Sequence, residues 1–125
     1  MLEIIQTENA PKAIGPYSQA IKAGGLVFVS GQIALDPQTG ELHDGSVEKQ
    51  ADLALKNLTA VLEAAQTNLN KVIKTTVYLA DMADFPRVNA IYGQHFGDHQ
   101  PARACIQAAA LPKGVAVEID AIAEA

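Results

Sequence analysis

A single cysteine, Cys105, stands in a chain of 125 residues, so no disulfide can close within it and the fold has to rest on its core. That usage agrees with a reducing compartment. Basic residues are also few: nine Lys and Arg face 14 Asp and Glu, a formal charge of −5, and they are scattered along the chain. Nucleic acid binding needs a concentrated basic surface, so no nucleic acid partner is expected, although one well-placed arginine can still hold a small anion in a pocket. No apolar run approaches the ~20 residues that cross a bilayer, so no membrane span is expected. The opening MLEIIQTENAPK carries an early acid and no basic segment leading into an apolar stretch. No secretion signal is read there, and a cytoplasmic location is expected. P-loops and nucleophile elbows of the Gly-x-Ser-x-Gly type are missing as well.

What is present is ordinary for one globular unit. Hydrophobic residues make up 49% and charged residues 18%, and 125 residues can bury a core without metal or disulfide, so residues 1–125 are expected to form one domain. A β-prone run covers residues 2–6, and Pro11, Gly15 and Pro16 force a loop after it. Residues 19–23 and 26–29 flank Gly24 and Gly25 and read as two strands around a tight turn. Strand character stops at Ser30, Gly31 and Gln32, where a glycine lets backbone amides approach a ligand or another chain.

From 46 to 66, Val47, Ala51, Ala54, Leu55, Leu58, Val61 and Leu62 recur at spacings of three and four. The pattern predicts a helix with Ser46 as N-cap, Glu48 in its first turn, and Asn68 or Asn70 ending the segment. Residues 72–79 read as a strand with Ile73, Thr75, Val77 and Leu79 on one face and Lys74, Thr76 and Tyr78 on the other. A second helix buries Phe85, Val88, Tyr92 and Phe96, with Pro86 in its first turn and Gly97 near its end. Strands at 102–109 and 115–123 complete the order β-β-β-α-β-α-β-β, an α+β domain with both helices on one sheet face. The last two strands are rich in Ala and Val on both faces, as if both were buried. Two helices leave the opposite face to be covered, most simply by self-association.

Function gathers in residues 101–118, PARACIQAAALPKGVAVE, where Arg103 and Glu118 are lone charges in apolar runs. Ions among Ala, Val and Ile need compensation, because desolvation costs several kcal/mol. Either both satisfy structural partners, or they form the polar end of a small-molecule pocket. Period-two alternation puts Arg103, Cys105 and Gln107 on one face. Cys105 reads as a small buried hydrophobe, since no neighbouring His identifies a catalytic pair. Val117 and Ile119 would raise the pKa of Glu118 through desolvation, whereas a nearby Arg103 would lower it. His95 and His99 are four apart, yet they read as solvated side chains near a helix end and not as zinc ligands, so no metal is expected. Asn57-Leu58-Thr59 has the form of a glycosylation sequon but lies within the first helix.

Taken together, these motifs resemble those of the RidA/YjgF family, the reactive intermediate imine deaminases, over nearly the whole chain. AIGPYSQAI, VSGQIALDPQTGEL and VIKTTVYLADMADFPRVNAIY follow the family in order, and PARACIQAAALPKGVAVEIDAIA looks like its signature, with a fixed separation of Arg and Glu. The resemblance implies a chorismate-mutase-like α+β fold, with two helices on one face of a mixed β-sheet. It also implies homotrimers with a barrel-like core and pockets in the clefts between subunits. Read by themselves, the last two strands would pair as a hairpin; the resemblance inserts the final strand elsewhere.

The activity implied is hydrolysis of 2-iminopropanoate and 2-iminobutanoate to 2-oxo acids and ammonia, without a cofactor. Pyridoxal-phosphate-dependent dehydratases acting on serine and threonine would supply those imines. By matching positions, Arg103 would hold the substrate carboxylate, a task suited to a planar bidentate donor, and Glu118 would orient or activate the attacking water. Tyr17, Ser30, Gly31, Asn89 and Cys105 would line the pocket. His99-Gln100-Pro101 departs from the longer, aromatic-bearing loop of many relatives, which bears on substrate range. The alternative is a regulatory module sensing 2-oxo acids or related anions through Arg103. A third reading, ribonuclease or translation inhibitor, is disfavoured by the acidic composition.

Overall fold

The computed structural model describes residues 1–125. Six strands and two helices follow one another as β1 (Glu3–Ile5), β2 (Ala20–Ala23), β3 (Leu26–Gln32), α1 (Val47–Ala64), β4 (Val72–Leu79), α2 (Phe85–Phe96), β5 (Ala102–Gln107) and β6 (Val117–Glu124). All the strands join one mixed sheet in the order β1-β2-β3-β6-β4-β5, with β4 and β5 parallel and every other pair antiparallel. The α+β class and the element order agree with the sequence pattern.

Local chemistry explains the boundaries. Gly24 and Gly25 both have positive φ, 60° and 78°, which closes β2 onto β3 through a tight turn that side-chain-bearing residues resist. The Ser46 side chain accepts from the Lys49 backbone N–H at 3.2 Å and caps α1. That helix ends sooner than Asn68 or Asn70 suggested. Gln66 turns left-handed at φ 65°, and the Gln66 and Thr67 N–H groups donate to the Glu63 and Leu62 carbonyls, satisfying the last turn. Asn68 instead caps the short turn over residues 69–71, accepting from the Asn70 N–H at 2.9 Å.

The two helices cover one sheet face, over Val27, Val29, Val77, Leu79, Val117, Ile119, Ala121 and Ala123. One alternation is corrected: the β4–β6 register shifts between Val72 and Lys74, so Val72 is buried while Ile73 is 48% exposed. Asn57, in the sequon-like triplet, is buried in α1 and donates to the Ile33 and Leu35 carbonyls, pinning the segment after β3 onto the helix.

β6 lies between β3 and β4, so the last two strands flank β4 and do not form a hairpin. The expectation that both faces of both strands are buried is also corrected. β6 buries only its helix-facing side, and edge strand β5 is exposed at five of its six positions. Ile4, Ile21, Phe28 and Ile122 lie in one rung across β1, β2, β3 and β6, on the face without helices. Ile4 and Phe28 are 63% and 43% exposed, so this rung is an exposed apolar strip on that face. No helix is long and apolar enough to cross a membrane.

Candidate active site

The parallel pairing of β5 with β4 sets Arg103 beside Thr75 and Cys105 beside Val77. Partners in such a ladder share a face, so both residues point to the helix side. There the Arg103 guanidinium donates to the Asn89 side-chain oxygen at 2.7 Å and lies 4.8 Å from the Tyr92 ring centroid and 5.4 Å from that of Phe85. Phe85, Asn89 and Tyr92 come to Arg103 from one side of α2, as spacings of four and three require. No carboxylate of the same chain pairs with Arg103, which removes an ion pair within the chain as its explanation. Its neutral neighbours leave the positive charge available to an anion. A groove of ≈ 430 Å³ runs from Arg103 past Asn89 and Gly93 to Gly97 and Gln100. Cys105, on the same face of β5, does not line this groove but is half-buried against the core; burial pushes its thiol pKa up and Arg103 opposes this, so the thiol is the favoured form.

Glu118 belongs to a different surface. It pairs with Tyr78, three residues along β4 from Thr75, and therefore faces away from the helices. Its carboxylate lies directly over Gly31, in space that a Cβ at position 31 would need. Lys12, Ile14, Tyr17, Gly31 and Gln32 surround it in a cavity of ≈ 60 Å³. Burial raises the pKa of Glu118, and Asp120, on the same strand face, raises it further. Of the two opposing effects read from sequence, burial prevails within one chain, because the sheet stands between Glu118 and its own Arg103. Tyr78 donates from its hydroxyl to Asp120 at 2.9 Å and keeps that second acid in place.

Ser30 anchors the end of β3 next to this pocket. Its hydroxyl donates to the Ser18 carbonyl at 2.6 Å and its N–H to the Gln19 carbonyl at 2.9 Å. Buried Gln19 in turn donates to the Pro11 carbonyl at 2.8 Å and accepts from the Thr7 N–H at 2.7 Å, so the loop carrying Lys12, Ile14 and Tyr17 has a fixed path.

The residues singled out from sequence thus fall into two groups: Asn89, Arg103 and Cys105 under α2, and Tyr17, Ser30, Gly31 and Glu118 on the opposite side. Phe85 and Tyr92 read from sequence only as core, although their spacing with Asn89 was a usable signal. The solvated histidines are corrected: His95 bonds to Asp52 at 2.7 Å and His99 to the Val72 carbonyl at 2.7 Å.

Residues 7–125 match the family described as endoribonuclease L-PSP. The chain belongs to that family, the RidA/YjgF proteins. It is 54% identical over 123 residues to a RutC family protein of Pyrococcus horikoshii, covering 98% of each chain. The mouse 2-iminobutanoate/2-iminopropanoate deaminase is 53% identical, over 97% of this chain and 90% of its own. The crystal structure of Escherichia coli TdcF with bound serine superposes with a TM-score of 0.93 at 46% identity, over 98% of each chain. The RidA/YjgF fold, with its two helices on a six-stranded mixed sheet, is therefore the frame in which both groups of residues sit.

Proposed function

We propose that this RidA/YjgF protein hydrolyses 2-imino acids such as 2-iminopropanoate and 2-iminobutanoate to 2-oxo acids and ammonia. The names of its mammalian relatives support the reaction class. The observation that carries the reading for this chain is a pair of unpaired charges, Arg103 and Glu118, on opposite faces of one sheet. One ligand can meet both only if one copy supplies the arginine and a neighbouring copy the acid. Head-to-tail closure of three copies satisfies this and also covers the apolar rung of Ile4, Ile21, Phe28 and Ile122.

Arg103 holds the substrate carboxylate by two parallel N–H···O bonds, with Asn89 fixing the guanidinium. Glu118, its pKa raised, accepts a proton as water oxygen bonds to the iminium carbon. It returns that proton to nitrogen of the resulting carbinolamine. The C–N bond then breaks as the hydroxyl oxygen forms the 2-oxo group, and the departing ammonia takes the hydroxyl proton as ammonium. The reaction calls for positioning, one base and water, and no cofactor. Gly31 makes room for the acid, Tyr17 walls the pocket, Ser30 ties down the end of β3, and Cys105 packs against the core on the arginine side. Imines released by pyridoxal-phosphate-dependent dehydratases fit this site.

Bound serine in TdcF favours a second reading, a sensor of small amino or oxo acids. The endoribonuclease description of the family is less suited to a chain of net charge −5. A threonine dehydratase coupled to this protein, with an imine-trapping agent present, separates the two readings. Hydrolysis predicts faster 2-oxobutanoate formation and less trapped imine as protein is added. Binding of 2-oxobutanoate with no change in imine lifetime at any protein concentration would establish the sensor.

A further inference from the structure

The core beneath Arg103 contains a polar contact that packing alone does not require. Thr75 is fully buried and Tyr92 only 7% exposed, yet their hydroxyls share a hydrogen bond of 2.7 Å. Val and Phe would fill the same two places without any polar group to satisfy. Thr75 is the β4 residue directly paired with Arg103, and Tyr92 is the residue whose ring lies 4.8 Å from the Arg103 guanidinium. The contact therefore completes a ring of three residues: Thr75 beside Arg103 in the sheet, its hydroxyl on Tyr92, and the Tyr92 ring against the guanidinium. Phe96 stacks on Tyr92 at 4.5 Å between centroids and limits its movement.

We propose that Thr75 and Tyr92 are positioning residues for Arg103, a hydrogen-bonded shelf that fixes the guanidinium for a planar carboxylate. An arginine on an exposed edge strand has several rotatable bonds, and each must be restrained before a bidentate contact forms. Asn89 restrains one nitrogen through a single 2.7 Å bond, which still allows rotation about that contact. The Tyr92 ring restrains the guanidinium itself, and cation–π attraction favours keeping it there. The ring holds its own place because its hydroxyl is bonded in the core. Since Arg103 grips the carboxylate in the ground state and afterwards, the shelf acts on binding of substrate and product alike.

This inference rests on Arg103 as the anion anchor, so Arg103→Ala is the reference variant. Four further variants are compared: Thr75→Val, Tyr92→Phe, the two combined, and Thr75→Ser. Each is titrated calorimetrically with 2-oxobutanoate, assayed for imine hydrolysis and melted. Either single variant orphans a buried hydroxyl and lowers Tm; the combined variant orphans none and recovers most of it. Binding is expected to behave differently, weakening about three- to tenfold in both single variants and staying weak in the combined one. KM should rise in step while kcat changes little. Thr75→Ser keeps the hydroxyl and should bind as the parent does. If the combined variant regains both stability and parental affinity, the hydroxyl pair is structural only and the proposal is overturned. If Arg103→Ala itself binds 2-oxobutanoate like the parent, it is the anchor reading that fails.

Discussion

Because Arg103 and Glu118 point from opposite faces of the same sheet, two inactive variants should repair each other when their chains mix. Arg103→Ala removes the proposed carboxylate anchor and leaves Glu118 over Gly31; Glu118→Gln removes the proposed base and leaves the Arg103 pocket intact. Loss of a positioned base costs roughly 10²-fold or more, so each pure variant should be near background. In a ring where each site draws its arginine from one copy and its acid from the next, random mixing of equal amounts gives an intact arginine side half the time. The acid side is intact half the time independently. About a quarter of the sites are then whole, and activity should return to roughly 25% of the parent whatever the ring size. A second mixture sharpens the test: parent chains mixed equally with the Arg103→Ala/Glu118→Gln double variant should also give about a quarter if sites are shared, but about a half if each chain carries its own site. Chains are mixed by co-expression or by unfolding and refolding together, and turnover is read as 2-oxobutanoate formed in the dehydratase-coupled assay. No recovery in the first mixture with a half in the second would refute the shared site. Light scattering is expected to report trimers throughout, and mass spectrometry of the intact assemblies, which resolves the mass difference between the variant chains, confirms that the chains mixed.

Three other outcomes follow from the same geometry. Gly31→Ala should drive the Glu118 carboxylate out of its place, since the new Cβ would occupy that space; kcat should fall by about tenfold or more, and a parental kcat would show that Glu118 need not sit there. Folding raises the pKa of Glu118, so the native state binds its proton more tightly than the unfolded chain. Stability then falls as pH rises from the unfolded value, ~4.3, through the folded one, and the penalty is full above it. In the Arg103→Ala background, where no neighbouring guanidinium reaches the acid, Glu118→Gln should accordingly raise Tm at neutral pH, with the advantage vanishing near pH 4; an equal gain at every pH would contradict the linkage. Cys105→Ser should retain most activity, because burial favours the protonated thiol and the proposed mechanism needs no covalent intermediate. A substrate adduct on Cys105 detected by mass spectrometry would overturn that.

Chain order, helix positions and the β2–β3 turn were legible in the sequence, because period, capping chemistry and paired glycines act over a few residues. Ser46 and the spacing of Leu55, Leu58 and Leu62 needed no tertiary information. The α1 terminus was not legible, since Gln66 takes a conformation usually left to glycine and the carbonyls of its own helix decide where the chain turns. Nor was the alternation in β4, where a register shift against β6 exchanges the roles of Val72 and Ile73. The family signature named Arg103 and Glu118, but their sequence separation carries no sign of which face each occupies. That depends on strand order: β6 enters between β3 and β4, β5 takes the outer edge, and pairing with β4 sends Thr75 and Arg103 to one side and Tyr78 and Glu118 to the other. Sequence chemistry thus determined which side chains carry charge. Long-range pairing, which fixes faces through a period of two, decided that the charges of one chain cannot meet and that Phe85, Tyr92 and Thr75 stand behind the arginine.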